Sequence, residues 1–161
     1  MKIYIIGCTA SGKSTLANIL SKKMNIKSYE LDLLVFDDAN GHIRRTDEEI
    51  EKMFNEIIKK KSWIIEDVGR SKFIKGREQA DKIYYIKLGK TRIYYQVLLR
   101  WIKQRLGILS YNYPPTIPGL IDMFKVTSSY FKKENKKLEE LKRYSEKIEF
   151  IDYKKLNELE K

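Results

Sequence analysis

The sequence predicts an α/β protein: a parallel sheet with helices on both faces. Short apolar runs alternate with segments of helical periodicity along the whole chain, an order that implies right-handed crossovers between parallel strands. A glycine-bounded loop, Gly7 to Ser14, joins the first apolar run to the first helical segment. The length of 161 residues fits one domain, and 42% apolar content is enough for a core.

The elements follow in order. Lys2–Gly7 (KIYIIG) reads as a buried strand ending at a glycine, and Ser14 to Met24 as a helix with Leu16, Ile19, Leu20 and Met24 on one face. Lys27–Leu31 (KSYEL) reads as a weak second strand. Thr46 and Glu49 have the spacing of a capping box, and Ile50, Met53, Phe54, Ile57 and Ile58 continue it as a helix. Trp63–Asp67 (WIIED) and Lys82–Leu88 (KIYYIKL) are the third and fourth strands. Lys90 to Leu106 is an amphipathic helix with Ile93, Tyr94, Val97, Leu98 and Trp101 on one face and Gly107 as its stop. All three prolines fall within Tyr113–Pro118, read as an irregular connector. Leu120 to Tyr144 reads as a long helix, with a bend expected near Ser128 and Ser129. Lys147–Ile151 (KIEFI) is the fifth strand and Tyr153 to Leu159 the last helix.

The formal charge is +11, from 33 basic and 22 acidic residues. Residues 61–118 carry 12 basic and 4 acidic groups, and no acid stands between Asp81 and Asp122. One reading is a compositional bias toward Lys, Ile and Tyr. The other is a field that favours a polyanion: nucleotide phosphates, nucleic acid or an acidic lipid surface. The single cysteine, Cys8, rules out an internal disulfide framework. No apolar run approaches the ~20 residues of a bilayer span, and Ile3–Ile6 is too short for a signal peptide. A cytoplasmic protein without a membrane partner is the expectation.

Gly7-Cys8-Thr9-Ala10-Ser11-Gly12-Lys13-Ser14 matches G-x-x-x-x-G-K-[ST], with Thr15 after it. The motif follows an apolar strand and opens an amphipathic helix, the context that makes it a phosphate loop. Glycine at 7 and 12 permits backbone angles and close approach that side chains deny. The amides of Gly7, Thr9, Ala10, Ser11 and Gly12 would form an anion nest with the helix N-terminus behind it. Lys13 would reach the β- and γ-phosphates of ATP. Ser14, with Thr15 beside it, would serve the phosphates and Mg²⁺. Cys8 reads as a small filler, or as a thiolate activated at a helix N-terminus. Loop and alternation together make the expected architecture a three-layer P-loop NTPase fold with five parallel strands.

Phosphoryl transfer also needs a carboxylate for the metal and a group to orient the attacking oxygen, both at carboxyl ends of strands. Glu66 and Asp67 close the WIIED strand and are the metal candidates; the sequence leaves open which of them faces the loop. Asp32 closes the second strand and is the candidate base or acceptor-binding residue. Asp37 and Asp38 read as loop or cap residues, and His42, the one histidine, as a poor ligand candidate. Asp38-Ala39-Asn40-Gly41 matches D-x-x-G, but there is no N-K-x-D guanine signature, so a GTPase is disfavoured.

Arg70, Arg77, Arg92, Arg100 and Arg105 are five of the eight arginines and all follow the third strand. Arg92 and Arg100 are the catalytic candidates, on a lid-like basic segment at about 90–118 that would close over the transferring group. The same segment, 70–105, is the candidate nucleic-acid surface, with Tyr94-Tyr95 and Tyr111-Asn112-Tyr113 available for base stacking.

The phosphate loop, LDLL after the second strand, WIIED and the ADKIYYIKL…RWIKQRLG block together resemble the adenylate-kinase-like P-loop proteins of the DNA topology modulation protein FlaR-related family. The resemblance runs over most of the chain. It implies a five-stranded parallel sheet in the order 2-3-1-4-5, ATP and Mg²⁺ binding, and a kinase-type lid. It places Gly12, Lys13, Ser14 and Thr15 on phosphate and metal, and matches Asp32 to the family's Leu-Asp. Many members read W-[VI]-I-D-G-N-Y where this chain has Trp63 to Gly69. Here Glu66 replaces that Asp and the G-N-Y is absent, a departure that falls on the family's acceptor site. The expected function is therefore a phosphotransferase acting from ATP on a nucleotide or small metabolite. The alternative is a nucleotide-gated, nucleic-acid-binding regulatory ATPase that affects DNA topology.

Overall fold

Four consecutive apolar residues, Ile3 to Ile6, cannot share one side of a strand, so β1 (Lys2–Gly7) must be covered on both. The computed structural model, which describes residues 1–38, 42–110 and 114–160, shows how. Ile3 and Ile5 meet Leu16, Ala17 and Leu20 of α1 (Lys13–Met24) in one layer, while Tyr4 and Ile6 face a second layer containing Trp63, Ile65 and Phe54. Full burial of each such isoleucine contributes about 2 kcal/mol.

The chain continues through β2 (Ser28–Glu30), α2 (Leu31–Val35), β3 (Phe36–Asp37), β4 (Ile43–Arg44), α3 (Asp47–Ile58) and β5 (Trp63–Asp67). It ends with α4 (Ile74–Gln79), β6 (Lys82–Ile86), α5 (Lys90–Arg105), α6 (Ile117–Leu141), β7 (Ile148–Ile151) and α7 (Tyr153–Glu160). The main sheet has the order β2-β5-β1-β6-β7, and every pairing in it is parallel. Counted along its own five strands this is the expected 2-3-1-4-5. The register sets Glu66 beside Ile5 and Asp67 beside Ile6, so the two acids point to opposite layers.

The capping box forms as read: Thr46 accepts from the Glu49 amide, and Glu49 reaches back to the Thr46 amide at 2.9 Å. Three expectations are corrected. The long helix begins at Ile117, before the expected Leu120, and continues without a break through Ser128 and Ser129 to Leu141, with Thr127 and Tyr130 held in the core. Pro118 belongs to the first turn of that helix, not to the connector, since its missing N–H costs nothing there; Thr116 caps it by accepting from the Gly119 amide at 3.2 Å. Leu98 is exposed, off the core face that Ile93 and Val97 occupy. The Asp38-to-Gly41 D-x-x-G match and the Tyr111–Tyr113 aromatics extend outside the described residues. No helix among those residues is long and apolar enough to cross a membrane.

Candidate phosphate-binding site

The loop between β1 and α1 is shaped by its glycines. A Cβ on Gly7 would lie 2.6 Å from Ser11 Oγ, so the turn closes only without one. Gly12 caps α1 with φ +93°, in the left-handed region, and Ala10 shares that hand at φ +58°. The Ser11 amide donates to the Cys8 carbonyl at 3.2 Å and the Leu16 amide to the Gly12 carbonyl at 2.9 Å, which sets α1 directly behind the loop. Lys13 is buried and folds back over the loop, its Nζ donating to the Cys8 carbonyl at 2.9 Å. Burial pushes the Cys8 thiol up to about 11, against the pull of Lys13, so at neutral pH Cys8 is a neutral filler and not a thiolate.

Ser14, in the first turn of α1, donates its hydroxyl to Glu66 Oε1 at 2.6 Å. Glu66 Oε2 is buried with no hydrogen-bond partner among the described residues. Burial raises this carboxyl to about 7, with Lys13 and the Ser14 hydroxyl acting the other way. A hydroxyl beside an under-coordinated carboxylate is a hard-oxygen donor pair, and that fits Mg²⁺. No group of three or more His, Cys, Asp or Glu among the described residues is gathered to hold a metal. Magnesium that arrives on phosphates and keeps its water needs no such cage.

Asp67 lies on the other side of β5, away from Ser14. Its Oδ2 accepts the amides of Gly69 at 2.8 Å and Arg70 at 2.6 Å, and its Oδ1 accepts Arg70 Nη1 at 2.5 Å. The second Arg70 nitrogen, Nη2, donates to Asp32, in the first turn of α2. Glu30, at the end of β2, is a further carboxyl of this cluster. Desolvation raises its pKa, Asp32 adds to the effect, and Lys13 and Arg100 oppose it.

The structure therefore brings Lys13, Ser14 and Glu66 together at the loop and ties Asp32 to Asp67 through Arg70. Arg100 shares a pocket with Thr9 and Ala10 of the loop, between α5 and α6, with Trp101 and Leu120 in its wall. Arg92 lies elsewhere, stacked 3.1 Å over the Tyr153 ring of α7. Thr15 is exposed on α1. The other arginines of the basic segment do not form one strip: Arg77 is buried and donates to the Arg70 carbonyl at 2.9 Å, and Arg105 lies over the Trp101 ring. His42 is paired with Asp38 and stacked on Phe36. Sequence reading missed Glu30, and it placed Arg70 among the arginines of the basic segment without its ties to Asp32 and Asp67. The available signal for Arg70 was its place three residues after a strand-ending aspartate.

No family model and no curated protein matches the chain. Solved structures do. A gluconokinase from Sinorhizobium meliloti 1021 aligns with a TM-score of 0.59 at 16% identity, over 98% of this chain and 86% of that one. A shikimate kinase from Bacteroides thetaiotaomicron aligns with a TM-score of 0.55 at 13% identity, over 99% and 94%. At such identities the likeness is one of fold, and the fold of this chain is the α/β P-loop fold of those kinases.

Proposed function

We propose that the chain is an ATP-dependent phosphotransferase acting on a small-molecule acceptor. The observation that carries this is the Ser14–Glu66 contact at the mouth of a glycine loop that already holds a buried lysine. A structural turn needs neither a buried cation nor an unpartnered carboxylate oxygen, whereas a polyphosphate with its metal uses both. The similar fold of a gluconokinase and a shikimate kinase supports a small-metabolite acceptor. The FlaR-related resemblance adds the same nucleotide chemistry and rests on the quoted motifs alone.

The loop amides and the α1 N-terminus bind the phosphates, and Lys13 exchanges the Cys8 carbonyl for the β- and γ-phosphate oxygens. Ser14 and Glu66 are the residues that would hold Mg²⁺, which when bound neutralises charge on the phosphate oxygens. Asp32 orients the acceptor hydroxyl and takes its proton. Arg100, which lines one pocket with Thr9 and Ala10, supplies positive charge to the transferring group from the lid-like segment 90–118. Arg92 supports that segment from behind by holding α5 to Tyr153 of α7. An acceptor screen with Mg·ATP tests the reading: acceptor-dependent ADP release is expected, and equal, background release with every acceptor would contradict it.

A further inference from the structure

Helix α5 is apolar on two opposite sides. On one side Ile93 and Val97 enter the core, and Tyr94 meets Phe124 of α6 with ring centroids 5.5 Å apart. On the other, Tyr95, Leu98, Ile102 and Leu106 recur at helical spacing and are exposed, Leu106 to 67%. The chain past the helix extends this stripe, with Ile108 70% and Leu109 41% exposed. Ile117, exposed as well, shares a hollow with Arg105 at the same end of the helix. A helix apolar all round is ordinarily a buried one. More than half of the large exposed apolar side chains among the described residues fall between Tyr95 and Ile121, so they form a patch and not a scatter. Closure on the nucleotide loop does not cover the patch. Val97, Arg100, Trp101 and Gln104 line the pocket shared with Thr9 and Ala10, which leaves the outer side of α5 turned away from the loop.

We propose that the outer side of α5, with the turn that follows it, docks on an anionic lipid surface, the helix lying in the headgroup plane. The charge selects the occupant. α5 carries Lys90, Arg92, Arg100, Lys103 and Arg105 with no acidic residue, and no acid follows before Asp122. By helical spacing Arg105 borders the stripe beside Leu98, and Lys103 borders it on the opposite edge. A second copy laid on the stripe would set these cations against themselves. Nucleic acid would answer the cations and leave the leucines in water. A lipid headgroup layer supplies anions with an apolar layer beneath them, and it needs no groove shaped to the helix. Apolar side chains and a tyrosine on one side, with lysine and arginine at the edges, are the make-up of a helix that lies in the membrane interface. The expectation of no membrane partner rested on the lack of a spanning segment, and an interfacial helix needs none. The surface is separate from Lys13, Ser14 and Glu66, so it stands or falls apart from the phosphotransferase reading.

The test is flotation of the full chain with two kinds of vesicle, phosphatidylcholine alone and phosphatidylcholine mixed with phosphatidylglycerol, at low and high salt. The chain is expected to float with the anionic vesicles roughly tenfold more than with the neutral ones, and to be released as salt rises. Ile102→Ser combined with Leu106→Ser should cut the bound fraction about tenfold. Lys103→Gln combined with Arg105→Gln should cut it by about the same factor. A thermal melt checks that each variant is folded; if the serine pair is not, Leu106→Ser alone takes its place. No flotation with anionic vesicles overturns the proposal. So does flotation that the serine pair leaves unchanged, which a field of charge alone would produce on duplex DNA as on lipid. Sedimentation equilibrium without vesicles tests the second copy: an oligomer that the serine pair dissociates gives the face to self-association and overturns the proposal. An acidic amphipathic peptide that binds this face, when both kinds of vesicle leave the chain in solution, gives it to a protein partner and overturns the proposal as well.

Discussion

The Ser14 hydroxyl donates to Glu66 Oε1 across 2.6 Å, and this contact joins the first turn of α1 to the end of β5. It aims a strand-end carboxylate at the phosphate loop, and its cost is a second carboxylate oxygen buried with no hydrogen-bond partner among the described residues. The properties of the site follow from that compromise.

The first consequence is a pH dependence of stability. The Glu66 carboxyl is raised from 4.5 to about 7, chiefly by burial, so the native state holds this proton more tightly than the unfolded chain does. Its contribution therefore falls as pH rises from about 4.5 to about 7 and is flat above. The full drop is about 3 kcal/mol. Urea denaturation across this range should show the slope in the wild type and lose it in Glu66→Gln. The Gln variant should be the more stable protein at pH 8 and the weaker binder of Mg·ATP.

Among the described residues Lys13 makes one hydrogen bond, to the Cys8 carbonyl at 2.9 Å, so its removal should cost the fold little. Its proposed contacts with two phosphates are charge-assisted and together contribute about 3 kcal/mol. Lys13→Ala should therefore bind ATP roughly 100-fold more weakly at a nearly unchanged melting temperature. Calorimetric titration and a thermal melt check both halves.

Gly12 should tolerate no side chain. At φ +93° an L-residue is strained, and a Cβ would come within 2.7 Å of Leu156 Cδ2 of α7. Gly12→Ala should lose about 1–3 kcal/mol of stability from the strain. It should also lose ATP affinity, because the amides it orients would turn. Denaturant melts and nucleotide titration on the same preparation separate the two losses.

Thr46→Ala supplies the contrast. It removes the Thr46 side of the capping box on α3, and such caps contribute about 1 kcal/mol. Stability should fall by that amount in a urea melt while ATP affinity stays put.

How far the sequence could be read depends on the physical constraint at each place. The phosphate loop was legible because glycine at 7 and 12 answers a backbone demand that no other residue meets. The five strands were legible as short apolar runs between helical patterns, whereas their order was expected only from the family resemblance, since apolar sides report burial and not which strands are neighbours. Glu66 and Asp67 could not be told apart, since that choice depends on which layer α1 packs against, and an all-apolar strand gives no hint. The LDLLV run hid the short helix α2, which at five residues has too few turns to show a period. The β3–β4 hairpin, two residues a side, was hidden in the same way. Helix α4 contains Gly76, a poor helix former, kept there because a Cβ would lie 2.8 Å from Tyr4. Arg70 was visible only as one arginine of the basic segment, because its tie to Asp32 spans 38 positions of the chain.

The most direct measurement is ³¹P NMR of the protein with Mg·ATP and a mixed pool of hydroxyl acceptors. The account predicts a phosphomonoester resonance that grows in step with ADP and is absent with Lys13→Ala. ADP accompanied only by inorganic phosphate, or a phosphomonoester formed equally well by Lys13→Ala, would contradict it.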